Sequence, residues 1–175
     1  MKLAKRKVID LLSPSFGRLH PLTTILTRFS QTAKTLILVT GPARSGKSEW
    51  AETLATQTGK NVIYIATAEI NSDDQEWLAR IEKHRKRRSP TWETREIPKD
   101  LIPPIQTATA SSCLLVDSLG TWVANYLDSE ENTWETVLEA LLESLQQTPA
   151  DVIFVAEETG WGVIPAYPLG RTFRD

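Results

Sequence analysis

"LILVTGPARSGKSEW", residues 36–50, decides the fold. The run "TLILVT" (35–40) is short, apolar and β-rich, and it ends at Gly41, so it reads as a buried strand. From Lys47 to about Thr58 the spacing predicts a helix, stopped by Gly59. Between strand and helix stands Gly41-x-x-x-x-Gly46-Lys47-Ser48, the sequence of a phosphate loop in the context such a loop requires. Gly41 and Gly46 permit tight turns and close backbone approach. Backbone N–H groups and the helix N-terminus attract phosphate oxygens. Lys47 reaches the β- and γ-phosphates, and the Ser48 hydroxyl can ligate a Mg²⁺ that bridges the same oxygens. A chance match in a glycine turn is the bland alternative, and the flanking strand and helix weigh against it. The loop by itself says nothing about the acceptor.

The pattern continues outward from this unit. "NVIYIAT" (61–67), "CLLVD" (113–117) and "DVIFVAE" (151–157) read as further buried strands. A helix is expected over 73–88, capped by Ser72 with Gln75 completing a capping box, acids in its first turn, bases in its last, and Pro90 beyond it. Residues 120–127 and 133–147 are also expected to be helical, and "IPKDLIPPIQ" (97–106) to be a proline-rich connector. Four continuous apolar strands alternating with helices argue for an α/β fold with a mostly parallel sheet covered on both faces.

At 175 residues with 41% hydrophobic and 24% charged residues, the chain fits one soluble domain, residues 35–175. A net charge of −2 argues against a nucleic-acid partner, and no apolar run is long enough for a membrane span. The only cysteine, Cys113, excludes an internal disulfide and a cysteine metal site, and fits a reducing cytoplasm. Residues 1–34 carry Lys2, Lys5, Arg6, Lys7, Arg18, Arg28 and Lys34 against a single acid, Asp10. They are expected to be a poorly ordered basic extension or the result of a start assigned too far upstream, in preference to an import signal.

Two further positions carry chemistry. Asp117 closes "LLVD", where a second Mg²⁺-side carboxylate is placed in phosphate-loop proteins; the bland alternative is a helix N-cap. "DSLG" (117–120) also fits the D-x-x-G of regulatory GTPases, but no N-K-x-D motif accompanies it. His84 sits in "LARIEKHRKRRSPTWE" (78–93), among Lys83, Arg85, Lys86, Arg87 and Arg88. On a helix, Trp77 and Ile81 share its face, and Arg80 and Arg87 lie one turn to either side, able to take anionic oxygens bidentately. An imidazole there can attack an α-phosphorus and form a labile phosphoramidate, with neighbouring cations stabilising the developing charge. A buried, hydrogen-bonded histidine beside a solvated basic face explains the same residues. The physics of the sequence leaves both open.

The segments "LILVTGPARSGKS", "VIYIATAE", "ARIEKHRKRRSPTWET" and "ETGWGVIPAYPLGRTFRD" occur in this order from about Leu36 to Asp175. Together they resemble the bifunctional adenosylcobinamide kinase/adenosylcobinamide-phosphate guanylyltransferases of cobalamin (vitamin B12) biosynthesis. The resemblance implies a RecA-like P-loop NTPase fold, a homotrimer with clefts between subunits, and adenosylcobinamide, ATP and GTP as substrates. It implies phosphorylation of the aminopropanol hydroxyl by ATP or GTP. GMP is then transferred from GTP, through a covalent histidine, to give adenosylcobinamide-GDP. The histidine falls on His84. The nucleotide contacts fall on Gly41, Pro42, Ala43, Arg44, Ser45, Gly46, Lys47 and Ser48, on Thr67, Ala68 and Glu69, on Arg85, Lys86, Arg87 and Arg88, and on Glu96 and Asp117. Mg²⁺ is the implied cofactor, held through Ser48 and Asp117. A histidine helix some distance from the phosphate loop, serving a site shared with a neighbouring chain, would suit that assembly.

Ser89 replaces a usual proline of the pattern, and Asp117 stands where some relatives carry glutamate. The family pattern continues beyond "RTFRD" through another helix and terminal strands. The expectation is therefore an incomplete C-terminal end, with exposed apolar surface, an open sheet edge and reduced stability. Two other functions compete: a simple small-molecule P-loop kinase with His84 structural, and an inactive nucleotide-binding remnant.

Overall fold

The computed structural model describes residues 34–69, 75–129, 131–159 and 164–174. Along the chain run β1 (Leu36–Gly41), α1 (Lys47–Gln57), β2 (Asn61–Ala66), α2 (Gln75–Arg87), β3 (Glu93–Glu96) and α3 (Ile102–Thr107). There follow β4 (Ser112–Asp117), α4 (Leu119–Ala124), α5 (Glu131–Gln147), β5 (Asp151–Glu157) and α6 (Pro168–Arg174). The strands form one parallel sheet in the order β1-β5-β4-β2-β3. The parallel sheet flanked by helices expected from the sequence is therefore present.

The central strands are apolar throughout because both faces of the sheet are covered. In β4, Leu114 and Val116 face one core while Cys113 and Leu115 face the other. In β5, Val152 and Phe154 divide from Ile153 and Val155 in the same way. Ala51 and Ala55 of α1 close the second core, their small side chains letting the helix lie close to the sheet. Across the sheet, Trp134, Val137, Leu141 and Leu145 recur at helical spacing along α5 and pack on the first core. Trp122 of α4 is buried there, stacks edge-on against Tyr126, and donates its indole N–H to the Lys99 carbonyl at 2.7 Å.

The sequence reading missed three elements, β3, α3 and α6. β3, "ETRE", is polar because it is an edge strand, paired only with β2 and largely exposed. α3 lies within the stretch expected to be a connector. Its prolines fall in the first turn, where a missing N–H breaks no intrahelical bond. The expected cap at Ser72 and the side chains of Trp77 and Arg80 lie outside the described residues, as do residues 1–33.

Lys34, placed in the basic extension by composition, is docked. Its ammonium donates to the carbonyls of Leu145, Gln146 and Thr148 at 3.0, 2.7 and 3.0 Å, satisfying the acceptors at the end of α5.

Removing the Leu114 side chain from the centre of the sheet, as Leu114→Ala, should cost about 2–5 kcal/mol. Thr94→Ala on the exposed edge should stay within about 0.5 kcal/mol. Urea unfolding of both variants checks the contrast. Burial, with the charge of Asp151 adding to it, pushes the Cys113 thiol up to about 11 from an ordinary 9.0. The unfolded chain then ionises first, so this contribution to stability is full below pH 9.0 and fades as pH rises towards about 11. Iodoacetamide at pH 8.5 should label Cys113 only as fast as the chain opens.

Candidate active site

In a parallel sheet every strand ends at the same edge. Gly41 pairs with Glu157, and Ala66 pairs with both Asp117 and Glu96, so the residues that close the strands gather there. Ala66, Glu96, Asp117 and Glu157 form the floor of a cleft open to solvent, whose wall is α2.

The loop between β1 and α1 turns back through Arg44 and Gly46, with φ of 62° and 85°. The second value is the left-handed conformation that glycine adopts without a steric cost. This turn aims the start of α1 into the cleft, where Lys47 and Ser48 line the floor. The Lys47 ammonium stands 3.9 Å from the Glu157 carboxylate and 3.5 Å from the Pro42 carbonyl. Within the loop, the Ser45 hydroxyl is buried without a hydrogen-bond partner among the described residues.

His84 and Ile81 share one face of α2, as the periodicity required, and both line the cleft. The helix is held by the basic run that follows the histidine. Arg87 clasps Glu52 of α1 bidentately, at 2.9 and 2.8 Å, and also meets Glu49. Donating to the Glu52 carboxylate raises the Arg87 pKa further. Its guanidinium thus fastens α2 to α1 and does not line the cleft. Arg88 lies over the Tyr64 ring at 3.7 Å and lines the cleft with Arg85. Lys86 and Arg85 pair with Glu82, and Lys86 points to solvent.

His84 was expected to stand apart from the phosphate loop. Instead it shares the cleft with Lys47 and Ser48, and its Nδ1 is 3.9 Å from Asp117 Oδ2. Asp117 is not the helix cap. Ser118 takes that role, its hydroxyl accepting from the Thr121 N–H at 3.2 Å, which leaves the Asp117 carboxylate facing the cleft. Asp117 Oδ2 accepts a 2.6 Å hydrogen bond from the Tyr64 phenol. Burial, and then the Asp117 charge, push that phenol's pKa far up, so it remains a donor at every physiological pH.

Of the other expected residues, Ala68 and Glu96 line the cleft. Thr67 lies beneath it: its hydroxyl donates to the Ser118 carbonyl at 2.8 Å and accepts from the Ser118 N–H at 2.9 Å, tying β2 to β4. Glu69 is exposed outside the lining, as are Pro42, Ala43 and Arg44.

The sequence reading passed over Tyr64, Ser118, Thr121 and Glu157, which also line the cleft. Glu157 had a usable signal, since it ends an apolar strand as Asp117 does. Both its oxygens accept from the Ser118 hydroxyl, at 3.0 and 3.1 Å, and Gly120 makes room for it. A Cβ at Gly120 would lie 1.9 Å from Glu157 Oε2.

The donors fit a Mg²⁺–nucleotide. Among the described residues no group of three or more His, Cys, Asp or Glu side chains could cage a metal. Ser48 and Asp117 offer hard oxygens in one cleft, the sparse set that suits an ion completing its shell with phosphates and water.

Comparison with known proteins gives the chain a family. Two curated relatives are each named a bifunctional adenosylcobalamin biosynthesis protein. CobP of Pseudomonas aeruginosa is 44% identical over 140 residues, covering 79% of this chain and 80% of its own. CobU of Escherichia coli is 36% identical over 155 residues, covering 80% and 84%. Among solved structures, the RadB recombinase aligns with a TM-score of 0.46 at 19% identity, over 78% of this chain and 70% of its own. A KaiC-like protein from Pyrococcus horikoshii aligns at 0.38 and 15%, over 97% and 79%. No helix among the described residues is long and apolar enough to cross a membrane. The pattern of one family matches residues 37–175, almost all of the described chain, and on that match this chain belongs to the cobinamide kinase / cobinamide phosphate guanyltransferase family, enzymes of cobalamin biosynthesis.

Proposed function

We propose that the chain phosphorylates adenosylcobinamide with ATP or GTP and then transfers GMP from GTP onto that phosphate through His84. The observation that carries this reading is the placement of the His84 imidazole in one cleft with Lys47 and Ser48, beside Asp117.

In the first step the acceptor hydroxyl attacks the γ-phosphorus. Its new O–P bond replaces the bridge to the β-phosphate, and a nucleoside diphosphate leaves. Lys47 and the loop N–H groups hold the phosphates in line and take up their charge. In the second step an imidazole nitrogen attacks the α-phosphorus of GTP and pyrophosphate departs. The N–P bond is then displaced by a phosphate oxygen of the cobinamide phosphate, which frees the imidazole. Arg85 and Arg88, both on the cleft, balance the charge at the α-phosphate. Ser48 and Asp117 would hold a Mg²⁺, which would neutralise charge on the phosphates when bound. Asp117 faces Nδ1 and orients the ring, in the way a third group orients a catalytic base. The cleft belongs to a homotrimer and works in the cytoplasm on this reading.

A simple kinase with a structural His84 predicts no covalent nucleotide. GTP labelled on the α-phosphorus should leave an acid-labile label on His84, absent in His84→Ala, and adenosylcobinamide-GDP should accumulate only with the wild type. Phosphorylated cobinamide made without any label on the protein would defeat guanylyl transfer. Arg87→Ala removes the clasp on α1 while leaving the cleft lining intact. It should slow His84 labelling on the order of tenfold, through misplacement of the nucleophile. Binding of a non-hydrolysable GTP analogue, measured by calorimetry, should change far less.

A further inference from the structure

We propose that Tyr64 is a positioning residue for the Mg²⁺–nucleotide site: its hydroxyl sets the Asp117 carboxylate and its ring face seats Arg88.

Tyr64 stands on the same face of β2 as Ala66, which lines the cleft, and its own side chain is almost fully buried. It belongs to the core that also holds Val39, Ala51, Ala55, Cys113 and Leu115, apolar or thiol neighbours among which an aliphatic residue would sit equally well. Packing alone therefore does not call for a tyrosine here. The hydroxyl donates a 2.6 Å hydrogen bond to Asp117 Oδ2. A hydrogen bond to a charged acceptor is short and strong, and it removes the broad rotation a carboxylate otherwise enjoys. The same oxygen stands 3.9 Å from His84 Nδ1, so fixing it also fixes what the imidazole faces.

The ring does a second task. The Arg88 guanidinium lies 3.7 Å from its centroid, and Arg88 Nε is buried without a hydrogen-bond partner among the described residues. The arginine is held by a ring face, which leaves Nε unclaimed by any acceptor among those residues. One side chain thus aligns the acid that faces a cation and the base that faces a phosphate.

The inference rests on the Mg²⁺–nucleotide reading of this cleft and is independent of whether GMP passes through His84. Tyr64→Phe keeps the ring and loses only the hydroxyl. With a non-hydrolysable GTP analogue and the full chain, calorimetry should show unchanged binding in EDTA. The Mg²⁺ concentration for half-maximal enhancement of binding should rise about tenfold. Cobinamide phosphorylation should fall at limiting Mg²⁺ and recover at saturating Mg²⁺, a rescue that a merely structural defect would not give. Tyr64→Leu, which also removes the seat of Arg88, should in addition weaken the analogue in EDTA. An unchanged Mg²⁺ midpoint in Tyr64→Phe, or a loss of activity that saturating Mg²⁺ does not repair, overturns the proposal. Thermal melts run beside each titration separate lost orientation from lost folding. A wild type that never carries label on His84 would sink the guanylyl reading and leave these binding results standing.

Discussion

The insertion of β5 between β1 and β4 is the constraint from which the site follows. β5 pairs in parallel with both neighbours, and its first five residues, Asp151 to Val155, are buried. Parallel pairing forces the ends of all three strands to one edge. That edge receives the phosphate loop from β1, Glu157 from β5 and Asp117 from β4. Asp117 and Glu157 are each the first polar residue after the apolar run of their strand, where the strand leaves the core.

The basic run after His84 shows how one helix divides like charges between tasks. Successive residues turn by about 100°, so four neighbouring cations cannot face one ligand. Arg85 and Arg88 reach the cleft, Lys86 reaches solvent, and Arg87 turns to the carboxylates of α1. The clasp of Arg87 on Glu52 is geometrically specific, because a planar guanidinium meets a planar carboxylate along two bonds. It sets the height of α2 above the sheet, and with it the reach of the imidazole.

Much of this was legible in the residues. The apolar strands and the glycine–lysine–serine loop announce a parallel sheet with a phosphate seat, because both follow from local chemistry. Asp117 was legible for the same reason, as an acid closing an apolar strand. Glu157 obeyed the same rule and was overlooked, since no motif called attention to it. β3 was not legible: "ETRE" has neither apolar alternation nor length, and it is a strand only because β2 offers it an open edge. α3 was hidden by prolines that read as breakers and in fact occupy its opening turn. The basic run gave its charge but not its directions. Arg87 looked like an anion ligand because the partner carboxylates, Glu49 and Glu52, lie more than thirty positions away in the chain. Tyr64 was counted as one more strand residue, and its bond to Asp117 exists only once β2 and β4 are side by side.

The contact between Gly120 and Glu157 makes two distant sites mutually dependent. Any side chain at 120 must share space with the carboxylate of 157, a flexible tip that can swing aside but not stay where it is. A bulkier residue at 120 therefore becomes compatible with the present layout only in company with a shorter one at 157. The two positions form a steric couple in which the tolerated alphabet of each is written by the other.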